Sequence, residues 1–506
     1  MANICIVRVR SNHELVWRLP RPLRAVSPYL PGRVSSFLSG IDGMPFLSQM
    51  TSYYLAALGE AAARRLGADH SFRVIEDREE SIEIPDDADL VLMTANTPAA
   101  PATYRVADRI RRRGVPVAIG GIHASMLPAE AAQHADSVVV GEAEGVMDDL
   151  LADFAALGRP RDHYRGGRGV SLDRLPAPRW PCPPERDACP WVVPVQTSRG
   201  CRNACAFCST TRHQGPARRH RPVEEIVAEI RGYIESGFLG PEKLIFFTDN
   251  NIVCDTDHRT GKRDDAYARS LFAALEPLGI FWAGQGEISV ADDPGALELM
   301  ARSGCHLLLV GLESLDQRNL GTVGKVGNRT EDYVRRIEAL HRHGVRIIGC
   351  FILGMDNDTT DVFDRTAEFI EEHIDVPQIS VLTPFPGTAL FSRMEREGRI
   401  LHRDWSRYDI THVVFRPSGM SPEELDAGHR GMLRRVFRWD KMLGRATRAA
   451  LRRVEQCVPP ETRRSRLKST LAPNLVYASL GWVEPDEAAR VDVGGTRPAR
   501  DVVYAA

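Results

Sequence analysis

The first 157 residues alternate short apolar runs with stretches of helical spacing. Residues 4–9 form a compact apolar run and read as a strand. In residues 46–66, Leu47, Met50, Tyr54, Leu58 and Ala61 recur at three- and four-residue intervals, which predicts an amphipathic helix. Residues 72–76, 88–93, 115–119 and 137–140 read as strands, and 98–113 and 147–157 as helices. Strands alternating with helices predict a parallel, doubly wound sheet. Ligands of such sheets bind beyond the carboxyl ends of the strands. Thr94, Asn96, Gly120, Gly121, His123, Gly141 and Glu142 sit at those ends. For the paired glycines the competing reading is a tight turn. A stretch rich in Pro, Arg and Ser, residues 10–45, interrupts the pattern after the first strand.

Residues 158–191 hold many prolines and arginines and read as an extended linker. The strand–helix rhythm returns at residues 192–391, with six βα units. In barrels built from such units, chemistry sits at the C-terminal ends of the strands. Asp249, Gln285, Glu287, Glu313 and Gly354 fall there, and Gly349 lies within a strand. Polar groups inside a barrel are costly unless satisfied, so several of these are read as facing a ligand. Helix capping is the competing reading, strongest for Asp249, Asn250 and Asn251. Past residue 392 the rhythm stops. Ser421-Pro422-Glu423-Glu424 carries an N-cap and a capping box, and predicts a helix running to about residue 454. That helix is rich in arginine. Its basic face is open to peripheral contact with anionic lipid, and the favoured reading is a helix packed on the barrel. Beyond Pro459 the chain reads as irregular tail.

The length of 506 residues suits two or three domains. Lys+Arg of 65 against Asp+Glu of 67 leave a net charge of −2, which gives no general pull toward nucleic acid. No apolar window is long enough for a transmembrane helix, and no basic-then-apolar leader opens the chain. The expected compartment is a reducing cytoplasm. Of ten cysteines, Cys305 and Cys350 lie in apolar runs and read as core, and Cys182 and Cys189 sit among prolines.

Cys201, Cys205 and Cys208 are different, because three thiols fall within eight residues at the spacing C-x3-C-x2-C. Thiolates hold iron–sulfur clusters, and three on a four-iron cluster leave one iron open. The alternatives are a reduced trio or a zinc site completed by His213 or His220. The octet, with Phe207 before its last cysteine, resembles the signature of the radical SAM superfamily. That resemblance implies a [4Fe-4S] cluster whose open iron binds S-adenosylmethionine (SAM). It implies cleavage of SAM to a 5′-deoxyadenosyl radical and a flavodoxin- or ferredoxin-type reductant. It also implies roles for single residues. Glu313 would accept hydrogen bonds from SAM, Gln285 and Glu287 would contact ribose or substrate, and Asp249 would bind SAM or orient substrate. Gly349 and Gly354 would let adenine approach the backbone. Arg219 follows the loop as arginines do in the family, with a plain surface charge as the alternative.

The run Gly120-Gly121-Ile122-His123-Ala124-Ser125, followed by Gly141-Glu142-Ala143-Glu144-Gly145, resembles the cobalamin-binding domain that precedes many radical SAM domains. An Asp-x-His-x-x-Gly motif is absent, which implies a cobalt with no histidine below it. His123 would instead hydrogen-bond the corrin amides or the nucleotide tail. The segment from Trp405 to Phe415 resembles the C-terminal region of cobalamin-type enzymes such as the hopanoid methylases. The expected organisation is a Rossmann-like cobalamin domain (1–157), a linker (158–191), a partial (β/α)6 barrel (192–391) and a mostly helical C-terminal part (392–506). The expected activity is cobalamin-dependent methylation of unactivated carbon in secondary-metabolite or lipid biosynthesis. Two rivals remain: a radical dehydratase, deoxygenase or rearranging enzyme on an aminoglycoside-type sugar, and a non-catalytic cobalamin sensor.

Overall fold

The computed structural model describes residues 1–10, 50–167, 169–178, 180, 192–239, 244–257, 262–454, 470, 473–474 and 502–504. Most of the predicted insertion after the first strand, together with Cys182, Cys189 and Cys457, lies outside these residues.

Two parallel sheets organise the chain. The first contains β1 (Ala2–Val9), β2 (His70–Asp77), β3 (Leu90–Thr94), β4 (Val117–Gly120), β5 (Ser137–Gly141) and β6 (His163–Gly167), in the order β2-β1-β3-β4-β5-β6. The order reverses beside β1, which makes a switch point at the carboxyl edge. Alternation along β1 explains the two covered faces. Ile4 and Ile6 pack with α1 (Met50–Leu66), whereas Cys5, Val7 and Val9 pack with α2 (Ala100–Arg111). β6 falls where extended linker was expected. His-Tyr-Arg-Gly-Gly has little apolar signal, but Tyr164 and Gly166 turn inward and Tyr164 donates to Asp153 at 2.8 Å. The tail also differs from expectation, since β17 (Val502–Tyr504) pairs antiparallel with β2.

The second unit contains, in chain order, β7 (Val192–Val195), β8 (Ser198–Arg199), β9 (Arg219–His220), β10 (Leu244–Phe247), β11 (Asp255–Asp257), β12 (Lys262–Asp264), β13 (Phe281–Gly286), β14 (Cys305–Glu313), β15 (Arg346–Leu353) and β16 (Val376–Val381). Six of them form an all-parallel sheet in the order β7-β10-β13-β14-β15-β16. Each strand pairs with the next in sequence among these six, with helices outside, so the sheet is an open barrel. β11 and β12 make a hairpin that the sequence reading missed, at the carboxyl end of β10.

After the barrel come α3 (Ala389–Arg396), α4 (Pro422–Val436) and α5 (Trp439–Leu451). The capping box at Ser421 and Glu424 is present. The single helix expected over 421–454 is broken, because Phe437 is buried and Arg438 takes an extended backbone. Part of the basic set packs on the barrel, whereas Arg434, Arg438, Arg448 and Arg453 stay exposed. Lys441 and Arg435 meet Glu371 at 2.6 and 3.0 Å, and Arg452 meets Asp375 at 3.1 Å. Among the described residues no helix is long and apolar enough to cross a membrane.

Candidate active site at the barrel mouth

β7 delivers the chain to the cysteine loop. Gly200 must be glycine, because its φ is 89° and a Cβ would lie 2.2 Å from the carbonyl oxygen of Ala217. The loop is held on several sides. Ala206 donates its N–H to Val323 at 2.9 Å and accepts from Leu390 of α3 at 2.9 Å. Asn203 donates to Glu287 at 2.9 Å. Burial pushes the Cys201 thiol up and the Cys205 thiol up to about 12, and Cys208 adds to both shifts. Uncomplexed, these thiols stay protonated at neutral pH, whereas a coordinating metal deprotonates a thiol outright. Three half-buried free thiols on one short loop match the donor set of an iron–sulfur cluster with an open corner. His220, one candidate fourth ligand of a zinc site, is stacked on Tyr267 at 3.8 Å.

Next to the loop lies a buried ion pair. Glu313 ends β14 in a left-handed conformation, φ 64°, at a bulge in the β14–β15 register. Bulges re-aim side chains, and strained backbone of this kind collects at functional sites. Its carboxylate accepts from Lys325 at 3.1 Å. Gly311 makes the room: a Cβ there would sit 2.2 Å from the Glu313 carboxylate and 3.0 Å from Lys325 Nζ. Burial works against the lysine's charge, but Glu313, then Cys205 and Glu287, hold Lys325 above the ordinary lysine range. The sequence reading missed Lys325. Its only signal was a lysine in a glycine-flanked turn, Gly324-Lys325-Val326-Gly327, twelve residues after Glu313.

The structure reassigns other barrel residues. Asp249 is fully buried and accepts from Thr197 N–H and Oγ1 at 3.0 and 2.7 Å, and from Ser198. It braces β8. Glu287 accepts from Asn203 and Asn251 on one oxygen and from Thr256 and Ser289 on the other. A carboxylate has about four acceptor sites, and these four contacts tie the cysteine loop to the barrel through Glu287. Gly349 points outward, where a Cβ would lie 2.9 Å from Ile374. Gly354, φ 90°, packs under Leu425 of α4 and donates its N–H to Asp358 at 2.9 Å. Gln285 stays on the inner face, since Gly284 and Gly286 on either side point outward at Ile252 and Val253. Phe207 packs half-buried against the barrel core.

At the carboxyl edge of the first sheet, the fold accounts for most of the predicted residues. Gly121 has φ 95°, and a Cβ would lie 2.8 Å from Ala95 O and 2.7 Å from Thr94 Oγ1. Gly141 has φ 91° and abuts Gly167 O at 2.4 Å by the same measure. Gly120 rests in ordinary contact with Val139. His123 is fully buried, with Nδ1 3.3 Å from Thr97, Nε2 3.2 Å from Glu130, and its ring against Trp405. Both nitrogens are engaged within the fold. Glu142 is buried against Arg219 at 2.8 Å and Arg199 at 3.3 Å, so Arg219 is not a surface charge. Thr94 is half-buried, and Asn96 is exposed with its oxygen capping Ala99 N–H at 3.1 Å. This edge is turned toward the barrel mouth. Met50 Sδ lies 3.8 Å from Thr248 at the end of β10, and Trp405 donates to Glu130 at 3.0 Å. Among the predicted residues of this edge that carry a side chain, Thr94 and Asn96 keep exposed surface.

An open parallel barrel with a three-thiol loop at its mouth, faced by the carboxyl edge of a doubly wound sheet, defines a two-cofactor α/β enzyme. Comparison with known proteins places the chain further. Residues 195–370 match the radical SAM superfamily, 54–151 the B12 binding domain, and 388–479 a domain of unknown function (DUF4070). The chain is 32% identical to the bacteriochlorophyllide d C-12(1)-methyltransferase of Chlorobaculum tepidum, over 71% of this chain and 76% of that protein. It is 28% identical to the hopanoid C-2 methylase of Rhodopseudomonas palustris, over 57% of this chain and 54% of that one. Its fold is similar to that of the radical SAM methyltransferase TsrM from Kitasatospora setae, with a TM-score of 0.57, 16% identity and 78% of each chain covered. The chain belongs to the radical SAM superfamily, in its cobalamin-binding class of methyltransferases. Its cofactors are a [4Fe-4S] cluster, SAM and cobalamin.

Proposed function

We propose that this enzyme transfers a methyl group from SAM to an unactivated carbon of a largely apolar acceptor, in lipid or secondary-metabolite biosynthesis. When bound, the cluster supplies the electron that cleaves SAM, and cobalamin carries the methyl group. Cys201, Cys205 and Cys208 are the proposed cluster ligands. The observation that carries the reading is the buried Glu313–Lys325 pair beside Cys205. SAM's amino acid end has one cationic and one anionic group, and this pair offers a partner to each. Glu313 would accept from the ammonium and Lys325 would donate to the carboxylate, holding the sulfonium near the open iron. Gln285 would meet ribose or substrate deeper in the barrel.

The inner face supports an apolar acceptor. Gly349 points outward, so Cys350 and Ile352 point inward on β15, and Leu309 shares the inner face of β14 with Gly311. All three are partly exposed. A sugar would leave its hydroxyls facing these residues without partners, so the dehydratase reading has no observation in its favour. Two relatives are named for a bacteriochlorophyllide and a hopanoid, both large carbon skeletons. The proposed division of the chain keeps 192–391 and 392–506, and β6 carries the first unit on to Gly167. A flavodoxin- or ferredoxin-type reductant and a reducing cytoplasm complete the reading. Product analysis with methyl-labelled SAM and a panel of apolar acceptors tests it. Label on acceptor carbon is expected, and a dehydrated or rearranged product without label would overturn it.

A further inference from the structure

β5 ends at Gly141, on the edge that faces the barrel. The next acidic residues, Glu142 and Glu144, cross into the unit that carries the cluster loop. Arg219 binds Glu142 through two nitrogens, each at 2.8 Å. Arg199 reaches Glu144 at 2.6 Å and Glu142 at 3.3 Å, and its Nε donates to Gln196 at 2.7 Å. Tyr54 of α1 donates to Glu144 at 2.6 Å and lies under the Arg199 guanidinium at 5.6 Å. The four charged side chains are 2–15% exposed. Burial opposes the charge on Glu144, and Arg199 holds it below the usual carboxylate range all the same.

The placement of the two arginines is the telling feature. Arg199 is followed directly by Gly200 and Cys201. Arg219 pairs with it across the small β8–β9 ladder. Arg219 also donates to Gln214 O at 2.9 Å, and the Gln214 side chain accepts from Gly200 N–H at 3.1 Å. Both flanks of the cysteine loop are therefore tied to the two glutamates that follow the cobalamin-side strand. Buried ion pairs add little net stability compared with apolar packing, but they fix one geometry. An apolar contact would let the two units slide.

We propose that Arg199 and Arg219, bonded to Glu142 and Glu144, are positioning residues that set the cobalamin-bearing sheet edge at a fixed distance and angle from the cluster loop. This rests on the cobalamin methyltransferase reading above. The test uses full-length protein carrying both the cluster and cob(II)alamin, as wild type and as Arg199→Gln, Glu144→Gln and Arg199→Lys. With the cluster reduced to its paramagnetic state by a low-potential reductant, pulsed EPR reads the cobalt–cluster distance; in a parallel sample reduced further to cob(I)alamin, methyl-labelled SAM reads transfer of label to the bound cobalamin. Wild type should give a narrow distance distribution. Arg199→Gln and Glu144→Gln should broaden it and slow label transfer about a hundredfold, the scale of an ångström-size misplacement. Iron content, cobalamin content and reductive SAM cleavage should stay at the wild-type level, and Arg199→Lys should restore part of the transfer. A narrow distribution with unchanged transfer in both charge-removing variants would overturn the inference alone. So would loss of iron or cobalamin in Glu144→Gln, since that marks a merely structural support. A wild-type protein with no cobalt–cluster coupling would sink the cobalamin reading along with it.

Discussion

The carboxyl ends of the two sheets look alike in sequence, with glycines and acids after apolar runs, yet they are built for different ends. On the first sheet, Gly121, Gly141 and His123 are taken up by the fold itself. Each faces the next strand or helix at contact distance. On the barrel, Gly311 clears space for a buried ion pair, and Glu313 is held in a strained backbone beside the cysteines. The first edge is a platform made by close-packed turns. The second gathers charge where burial makes charge costly. Glycine at a strand end thus marks a ligand only when the space it clears holds a functional group rather than more backbone.

The largest expected effect sharpens that contrast. Replacing Cys201, Cys205 and Cys208 together with Ala should abolish iron binding and SAM cleavage, read by iron analysis and 5′-deoxyadenosine yield. Cys305→Ala should keep both, since that thiol is a core residue. Next is Glu313→Gln. It leaves Lys325 buried beside a neutral partner, and SAM affinity should fall roughly ten- to a hundredfold, the cost of a charge-assisted hydrogen bond. Isothermal titration on clustered protein measures this, and unchanged affinity would remove Glu313 from the SAM site.

On the first sheet the losses should be in stability. Gly121→Ala must adopt φ near 95° against Ala95 and should cost about 1–3 kcal/mol. His123→Ala should cost about 2–3 kcal/mol by removing a buried, bonded ring. The absorption spectrum of bound cobalamin should not change in it, because both ring nitrogens are engaged within the fold. A spectral shift would restore His123 as a ligand.

The smallest effect concerns pH. Burial and then Arg218 lower the His220 pKa to about 4, whereas the unfolded chain takes up that proton near about 6.5. The folded protein binds fewer protons between those values. His220 therefore costs no stability above about pH 6.5, and stability falls as pH drops toward about 4. His220→Phe keeps a ring on Tyr267 and should flatten that slope in melts run from neutral to acid pH. An equal slope would assign the acid sensitivity elsewhere.

Most of the fold was legible, because buried parallel strands leave unbroken apolar runs and amphipathic helices leave a period. β6 was not, since His163–Gly167 carries one aromatic and two glycines. The break at Arg438 was not, because helix propensity continues through it and tertiary packing of Phe437 decides. In the site, the cysteine spacing was legible as local sequence. Lys325, the saturation of Glu287 and the Arg199–Glu144 contact were not. Each joins residues 12 to 84 positions apart, and no local pattern encodes such meetings.

The central claim is that one chain couples SAM at the barrel mouth to cobalamin on the facing sheet edge. The most direct measurement is anaerobic incubation of reconstituted protein with hydroxocobalamin, a low-potential reductant and methyl-labelled SAM. The account predicts 5′-deoxyadenosine in solution and label on the protein-bound cobalamin, both lost in the triple cysteine variant or in protein without cobalamin as appropriate to each. SAM cleavage at full rate with no cobalamin bound and no label transferred would contradict it.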